Sequence, residues 1–335
     1  MKNILLTGGA GYIGSHTYLS LIESSYNPII LDNFSNSKPK VLNRLKEISK
    51  KDAVIEIGDV CDSKFISKII DNHNIDGVIH FAALKSVEDS VSNPLEYFKN
   101  NVGGLISVID GMKESNCNKL IFSGSACVYG NNKDVPVTEN SQRNFTNPYG
   151  QTKIICEDII KAIAEKSELS YVILRYFNPV GCHKSGEIGE DPIGKISNLI
   201  PSIANVASGN APFVKVFGND YNTLDGTGVR DFIHVMDVAE GHINALKTLD
   251  GEKLNLAINL GTGNGTSVLE LIKVYEKVSE KKIHYKFYPK RLGDVASIYA
   301  DASLAKIKIN WESKRSIVDM CESSWIWKSK NPSGY

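Results

Sequence analysis

The chain has 335 residues, enough for one large domain or two fused ones with an ample core. Its 38 Lys and Arg balance its 38 Asp and Glu, which argues against a general nucleic-acid-binding or membrane-surface role. The six cysteines form no Cys-x-x-Cys pair, so we expect buried, reduced thiols and no metal site. No cleavage site follows the first apolar run and no apolar segment approaches ~20 residues, so we expect a cytoplasmic protein.

The first predicted strand, residues 4–6, leads directly into a glycine-rich turn. Gly8, Gly11 and Gly14 follow it at three-residue intervals, and residues 13–22 have apolar positions at helical spacing. This order is typical of a dinucleotide-binding loop, in which glycines let the backbone approach a pyrophosphate and helix N–H groups face that anion. The alternative is an ordinary strand–helix turn with incidental glycines.

The second predicted strand, residues 27–31, is followed by Asp32, about 20 positions beyond the glycine loop. An acidic residue there accepts hydrogen bonds from the adenosine ribose and repels a 2′-phosphate, which favours NAD over NADP. Lys38 weakens this preference slightly, and an Asp that only shapes a turn is the alternative. The third strand, residues 53–58, precedes Asp59, which could hold the adenine amino group or cap the next helix.

Strands and helices continue to alternate up to residue 175. Further strands are predicted at 77–81, 119–123 and 171–175, and helices at 95–113 and 149–166. The alternation predicts an α/β fold with a doubly wound parallel sheet, a Rossmann domain. Ligands then bind at the carboxyl ends of the strands.

Beyond residue 178 the pattern is looser. Helices are predicted at 199–208, 235–249 and 267–279, strands at 212–217 and 285–288, and loops at 181–194 and 218–228. We therefore assign 1–178 to a dinucleotide-binding Rossmann domain and 179–335 to a smaller C-terminal α/β substrate lobe. The boundary is soft, because strand-like segments of the second part could rejoin the large sheet.

Tyr149 and Lys153 are four residues apart, so on a helix they share a face. An unperturbed Tyr, with a pKa of ~10, is a poor base at neutral pH. A fixed ammonium and a nearby nicotinamide cation would favour the phenolate, which could then take a proton from a sugar hydroxyl. Ser125, after the fifth strand, could share that proton. The alternatives are a solvated surface pair and a serine in a turn.

Arg230 and Arg291 are candidates for binding a second pyrophosphate, because arginine pairs bidentately with phosphate oxygens. Asp294 could contact a ribose. Ordinary surface ion pairs are the alternative for both arginines. His80 and His234 lie in or beside apolar segments, and we interpret them as structural.

Several of these segments resemble a known group of enzymes. Residues 7–14, the Tyr149-x-x-x-Lys153 pair and Arg175-Tyr-Phe-Asn-Pro179 resemble the extended short-chain dehydrogenase/reductases. Segments 32–37, 80–85, 217–234 and 325–335 resemble, more narrowly, the UDP-glucose 4-epimerase family. The likeness covers essentially the whole chain. It implies an isomerase that interconverts UDP-galactose and UDP-glucose through a 4-keto sugar, using tightly held NAD.

The resemblance also implies which residues bind. The glycine loop aside, NAD would be contacted by Tyr12, Ile13, Asp32, Asn33, Phe34, Ser35, Asn36, Ser37, Asp59, Val60, Phe81, Ala82, Ala83, Leu84, Lys85, Asn100, Ser125, Tyr149, Lys153 and Phe177. The UDP-sugar would be held by Lys85, Ser125, Tyr149, Asn178, Asn198, Leu199, Lys215, Val216, Phe217, Arg230, Arg291 to Asp294, and Ile298. Tyr149 would be the catalytic base, assisted by Ser125 and Lys153.

The sequence departs from the family's pattern in places. Ala83, Glu88 and Cys127 stand where the family usually has Gly, a small residue and Thr. Ile298 aligns with a position where a large Tyr excludes N-acetylated sugars and a small residue admits them, so activity on N-acetylated UDP-hexosamines stays open.

Single features bear on two other functions and on the oligomeric state. A nucleotide-sugar 4,6-dehydratase would have an Asp-Glu pair after the active-site Ser or Thr, whereas Ala126 and Cys127 follow Ser125 here. A catalytically silent NAD-binding regulator would be free to lose Tyr149 or Lys153, and both are present. The isoleucines of residues 154–163 form a wide apolar face, which favours a homodimer; burial within one chain is the alternative.

Overall fold

The computed structural model describes residues 1–132, 134–194, 196, 198–291 and 293–335. Its strands are β1 (Asn3–Thr7), β2 (Asn27–Asp32), β3 (Val54–Ile57), β4 (Ile75–His80), β5 (Lys119–Ser125), β6 (Ser170–Tyr176), β7 (Asn178–Val180), β8 (Val214–Phe217), β9 (Val229–His234), β10 (Asn255–Leu260), β11 (Gly265–Ser267), β12 (Tyr285–Tyr288) and β13 (Ser297–Ile298). Its α-helices are α1 (Tyr12–Glu23), α2 (Lys40–Ser49), α3 (Ser63–Asn72), α4 (Val87–Ser92), α5 (Pro94–Tyr97), α6 (Gly104–Glu114), α7 (Pro148–Ala164), α8 (Leu199–Ala207), α9 (Val235–Gly251), α10 (Val268–Ser279), α11 (Ser303–Ile309) and α12 (Ile317–Lys330).

The large sheet is parallel and has the strand order β10-β6-β5-β4-β1-β2-β3. The part from β3 to β6 has the 3-2-1-4-5-6 order of doubly wound dinucleotide-binding folds. The predicted Rossmann architecture is therefore confirmed. In such a sheet the strand order reverses beside β1, and ligands bind there, outside the carboxyl ends of the strands.

The core lies on both faces of this sheet. Leu6 and Ile30 belong to an apolar cluster with α1, α2 and α9, while Leu5 and Ile29 belong to a second cluster with α3, α6 and α7. Adjacent residues of one strand thus point into opposite layers, and both are buried. This explains the continuous apolar runs from which the strands were predicted.

The second part of the chain builds a smaller lobe. β9 pairs with β7, β11 and β13, and β8 pairs with β12. A separate core cluster gathers side chains from α8, α10 and α12 around these strands. However, β10 joins the edge of the large sheet beside β6, and α9 packs on α1. The chain therefore crosses between lobes more than once, and the division at residue 178 stays a prediction.

Two local predictions differ from the structure. The single helix expected at 95–113 is α5 and α6 joined by a π-helical turn, Phe98–Gly103. The cysteines are free, as expected, but Cys61 is exposed and Cys127 half-buried rather than buried. Among the helices in the described ranges, none combines the length and apolar character that crossing a bilayer requires.

Candidate active site

The glycine turn between β1 and α1 is built by backbone constraints. Gly8 has φ +69°, and a Cβ on it would lie 2.7 Å from the Ala82 nitrogen. A Cβ on Gly14 would lie 2.5 Å from the Gly8 carbonyl oxygen. Gly11 is the N-cap of α1 and supplies no side-chain cap, so the first-turn N–H groups are left to face an anion. The turn therefore fits a pyrophosphate.

Asp32 lies against this turn at the end of β2. Its carboxylate accepts hydrogen bonds from the Ala10 N–H at 3.0 Å, the Phe34 N–H at 2.9 Å and the Ser37 hydroxyl at 2.8 Å. Asp32 therefore stabilises the loop that follows β2, which agrees with the alternative of an Asp that shapes a turn. It also faces the glycine turn, where a ribose would lie. Lys38 is paired with Asp191 at 2.6 Å, so its ammonium is engaged by a carboxylate on the far side of the cleft.

Asp59 does not cap the next helix, so that alternative is wrong. The N-cap of α3 is Asp62, whose carboxylate accepts from the Phe65 N–H at 3.0 Å. Asp59 accepts instead from the Cys61 N–H at 2.9 Å and from Asn33 Nδ2 at 3.2 Å. The turn after β3 brings Asp62 rather than Asp59 to the helix start.

One cleft runs along the carboxyl ends of the strands and encloses about 350 Å³. This volume lies within the ~300–1,000 Å³ range of small-molecule sites. Every residue predicted to contact the cofactor lines it except Phe34 and Asp59. The predicted substrate residues Asn178, Asn198 and Leu199 line it as well.

The other predicted substrate residues form a second cluster in the small lobe. Arg230 Nη2 lies 3.3 Å from Asp294 Oδ1, and Ile298 is the register partner of Arg230 across β13 and β9. The Arg291 guanidinium stacks 4.0 Å above the Phe217 ring. Lys215 is exposed and lies 5.2 Å from the Tyr288 ring, whereas the Val216 side chain is buried in the core, so only its backbone can meet a ligand. Leu292 lies outside the described residues.

The two clusters meet at the start of α7. A Cβ on Gly293 would lie 3.2 Å from Thr146, just before the helix N-cap Asn147. Cys127 is close enough to Arg230, Asp294 and Lys153 for their charges to affect the pKa of its thiol, although burial is the main effect and raises it. The glycine cleft and the arginine cluster are therefore neighbours across the Tyr149 region.

Tyr149 lies in the first turn of α7, which Asn147 caps by accepting from the Gly150 N–H at 2.9 Å. Its phenol is near the hydroxyl of Ser125, which stands at the end of β5 and acts to lower the pKa of the phenol. Lys153, one turn along, is 3% exposed and donates to the Ser123 carbonyl at 2.8 Å. The predicted catalytic residues are thus brought together by the junction of β5 and α7.

The acid–base properties of this group are set mainly by burial. Burial raises the pKa of Tyr149 well above its usual value, and the nearby Ser125 hydroxyl offsets only part of that. Burial also lowers the pKa of Lys153 to about 8. The Lys153 ammonium turns to Ser123 and lies 5.9 Å from the Tyr149 ring centre. The protein's own residues therefore keep the phenol protonated, and the predicted phenolate depends on the second cation, nicotinamide.

Sequence reasoning missed several residues of the cleft. Tyr176, Glu190, Asp191 and Tyr335 line it. Glu190 Oε1 accepts from Asn198 Nδ2 at 2.5 Å and lies 3.5 Å from Lys85 Nζ. The sequence predicts only a Gly-rich loop at 181–194, and no spacing in that segment signals that its carboxylates reach across a cleft.

His80 and His234 make structural contacts, as interpreted. His80 Nδ1 lies 2.7 Å from the Thr7 hydroxyl, and His234 Nδ1 accepts from the Met236 N–H at the start of α9. Burial lowers the pKa of each imidazole to about 3. Both rings are therefore neutral at physiological pH.

Comparisons with known proteins agree over the full length. A family model described as GDP-mannose 4,6 dehydratase matches residues 5–324. The UDP-glucose 4-epimerase of Bacillus subtilis (strain 168) is 48% identical over 333 residues, which cover 99% of this chain and 98% of that protein.

Two solved structures extend the comparison. The UDP-glucose 4-epimerase from Bifidobacterium longum, in complex with NAD⁺ and UDP, superposes with a TM-score of 0.97 at 45% identity, covering 100% of both chains. The UDP-Glc/GlcNAc 4-epimerase of Campylobacter jejuni has a TM-score of 0.85 at 32% identity, covering 98% of this chain and 100% of that one.

Proposed function

The chain belongs to the family of UDP-glucose 4-epimerases, and from this membership we propose that it interconverts UDP-glucose and UDP-galactose with bound NAD. The observation that carries the proposal is the setting of Tyr149. Its phenol lies with Ser125 in the wall of the glycine cleft, and the arginine cluster is on the other side. A sugar between the two would present a hydroxyl to the phenol.

The cofactor fits the residues present. The first turn of α1, which has no side-chain cap, would hold the pyrophosphate, and Asp32 would hold the adenosine ribose. The Lys38 ammonium is paired with Asp191, so it does not offer a free positive charge to a 2′-phosphate beside Asp32. This pairing supports NAD over NADP. Bound NAD supplies a reversible hydride acceptor for carbon 4 of the sugar.

Tyr149 handles the proton. Burial raises the pKa of Tyr149, so the phenol stays protonated in the protein by itself. A positive charge that enters the cleft would lower this pKa and favour the phenolate. Tyr149 then accepts the proton of the 4-hydroxyl, and Ser125 orients that hydroxyl. Lys153 adds a second positive charge, because a pKa of about 8 leaves it mostly protonated at neutral pH.

The nucleotide end is anchored in the small lobe. Arg230 is held by Asp294 at 3.3 Å and by the Val229 carbonyl at 2.9 Å, and Arg291 is held against Phe217. Such oriented guanidinium groups pair bidentately with phosphate oxygens. A firmly held diphosphate leaves the sugar free to turn over, so that the 4-keto sugar presents its other face and configuration inverts.

The sugar range depends on Ile298. It is half-buried on β13, beside Arg230 on β9. Its side chain is smaller than Tyr, and we propose that N-acetylated UDP-hexosamines are accepted too. Replacing it by Tyr (Ile298→Tyr) should remove turnover of UDP-N-acetylgalactosamine and keep that of UDP-galactose; equal loss of both would overturn this role.

Product analysis separates the proposal from its rivals. Incubation with UDP-galactose should yield UDP-glucose with no net consumption of NAD. A 6-deoxy-4-keto product would indicate a 4,6-dehydratase, the activity in the description of the matching family model, although Ala126 and Cys127 follow Ser125 here. Absence of conversion by NAD-loaded protein would indicate a binding role.

We also propose a cytoplasmic location. It is supported by free thiols in the core, at Cys117, Cys156, Cys182 and Cys321, which suit a reducing compartment. Fractionation of cells with an antibody to the protein would test it.

A further inference from the structure

The walls of the cofactor cleft are joined across its mouth. Lys38 Nζ lies 2.6 Å from Asp191 Oδ2, and the two side chains are 33% and 15% exposed. Lys38 directly follows Ser37, whose hydroxyl donates to Asp32. Asp191 belongs to the loop after β7. Both residues line the cleft, so their bridge spans the end where the adenosine ribose would lie.

Contacts with the C-terminal residues fix Asp191 in place, so the bridge connects two fixed walls. Its Oδ2 also accepts from the Tyr335 N–H at 2.8 Å, and the Gly189 N–H donates to the Tyr335 hydroxyl at 3.1 Å. Trp327 Nε1 donates to the Glu190 carbonyl at 3.3 Å. Breaking the bridge would therefore remove the tie at the mouth of the cleft without releasing the loop itself, which α2 also holds through the Arg44–Glu187 pair at 2.6 Å.

The neighbouring carboxylate, Glu190, closes the other end of the cleft. It contacts Asn198 and Lys85, at 2.5 and 3.5 Å. Two successive acidic residues thus tie one loop to the loops after β2 and β4. A dinucleotide lying along the strand ends would have this loop across it.

We propose that the Lys38–Asp191 bridge retains the dinucleotide in the cleft by setting its rate of release. This rests on the proposed function only in taking NAD as the bound group. Asp191 is a positioning residue: it holds the wall, and the cofactor leaves when the bridge opens. Loss of one hydrogen bond between charged groups should speed release about tenfold.

The test follows NAD exchange, which needs no turnover. Purified holoprotein is mixed with excess isotopically labelled NAD, and label bound to protein is followed by rapid gel filtration. Asp191→Asn and Lys38→Met should each exchange about tenfold faster than wild type. Lys38→Arg, which keeps the charge, should restore slow exchange. The double variant should exchange no faster than either single one.

A surface ion pair far from the cleft supplies the matched control. Glu312→Gln breaks the exposed Lys306–Glu312 pair of 2.7 Å and should exchange as wild type. Exchange within twofold of wild type in both Asp191→Asn and Lys38→Met would overturn the proposal. Failure of the proposed function is seen separately, as wild-type protein that exchanges NAD and does not convert UDP-galactose.

Discussion

Arg175 is clamped by Glu157 inside the protein: Nε lies 2.8 Å from Oε1 and Nη2 lies 2.6 Å from Oε2, with side chains 2% and 0% exposed. Arg175 is on β6, and Glu157 lies one turn beyond Lys153 on α7. The pair therefore fixes to the sheet the helix that carries Tyr149, the proposed catalytic base. Tyr129 adds to it, with its hydroxyl 2.9 Å from Arg175 Nη1.

Removing one partner of this pair should be costly. Glu157→Gln leaves the Arg175 charge buried without its carboxylate, so we expect the free energy of unfolding to fall by about 3–5 kcal/mol. Urea unfolding at neutral pH measures this. Glu165→Gln, at an exposed position where the same helix ends, is the control and should change stability by less than about 0.5 kcal/mol. A loss below about 1 kcal/mol in Glu157→Gln would mean that water reaches Arg175.

Tyr149→Phe should lower kcat by several orders of magnitude while NAD stays bound, because the variant loses the proton acceptor and keeps the ring. Turnover of UDP-galactose and the absorbance of bound cofactor report the two effects separately. Tyr275→Phe is the control, since it removes a hydroxyl bonded at 3.4 Å to Ser324 in the small lobe. Near-normal turnover by Tyr149→Phe would remove this residue from the mechanism.

Gly14→Ala should abolish NAD binding. The added methyl would lie 2.5 Å from the Gly8 carbonyl oxygen and 2.8 Å from Gly9 Cα, both backbone atoms, so the turn must move. Gly103→Ala meets nothing within 4 Å and is the matched control. Equilibrium dialysis with NAD compares them. Equal affinities in the two variants would show that the turn tolerates a Cβ.

The sheet was predictable because its central strands are buried on both faces, although the edge strand β3 is partly exposed. Leu5 and Leu6 sit in opposite core layers, which makes a continuous apolar run the signature of a parallel strand. The place of the candidate catalytic residues was predictable for a related reason. Parallel strands place the residues just beyond their carboxyl ends at one edge of the sheet, so Ser125 and the glycine turn had to be neighbours.

Features fixed by contacts distant in sequence were not predictable. The π-helical turn at Phe98–Gly103 places Asn101 so that its amide bonds the Leu84 N–H at 2.8 Å and the Thr152 hydroxyl at 3.1 Å. The spacing of apolar residues along the helix does not indicate hydrogen-bond partners that are distant in the sequence. The same holds for Glu190 and Asp191, which lie in a loop without period, and for β10, whose place beside β6 depends on α9 packing on α1.

Acid should destabilise the fold through its buried imidazoles. Burial lowers the pKa of His16, His80 and His234 to about 3 and of His242 to about 4. The unfolded chain binds protons on these rings below about pH 6.5, whereas the folded chain does not until about pH 3–4. The free energy of unfolding therefore falls as pH drops through this window, by up to about 1.4 kcal/mol per pH unit for each ring.

Urea unfolding at pH 7.5, 6.5 and 5.5 tests this histidine effect. In His242→Asn the free energy of unfolding should fall less steeply as the pH drops, by about the contribution of one imidazole. This holds whatever the stability of the variant at neutral pH. Stability that is flat between pH 6.5 and 5.5 in wild type would show that the folded rings take up protons.

We predict a homodimer, and the structure suggests where the chains meet. The isoleucines of α7 are largely used within one chain: Ile160 is buried, and Ile154, Ile159 and Ile163 pack on core clusters. The neighbouring surface is more open, because Leu95 on α5 and Ile106 on α6 are 66% and 49% exposed. Exposed apolar surface can mark an interface between proteins, so we predict that the two chains meet at α5 and α6.

Ile106→Glu should therefore convert the dimer to a monomer, since a buried carboxylate without a partner opposes association. Light scattering should give the mass of two chains for wild type and of one for the variant. Ile307→Glu, at a 75% exposed position on α11, is the control and should stay dimeric. A wild-type protein with the mass of one chain would refute the dimer. If the Ile106→Glu variant stays dimeric, the interface does not include α6, and the exposed edge of α7 is the next place to test.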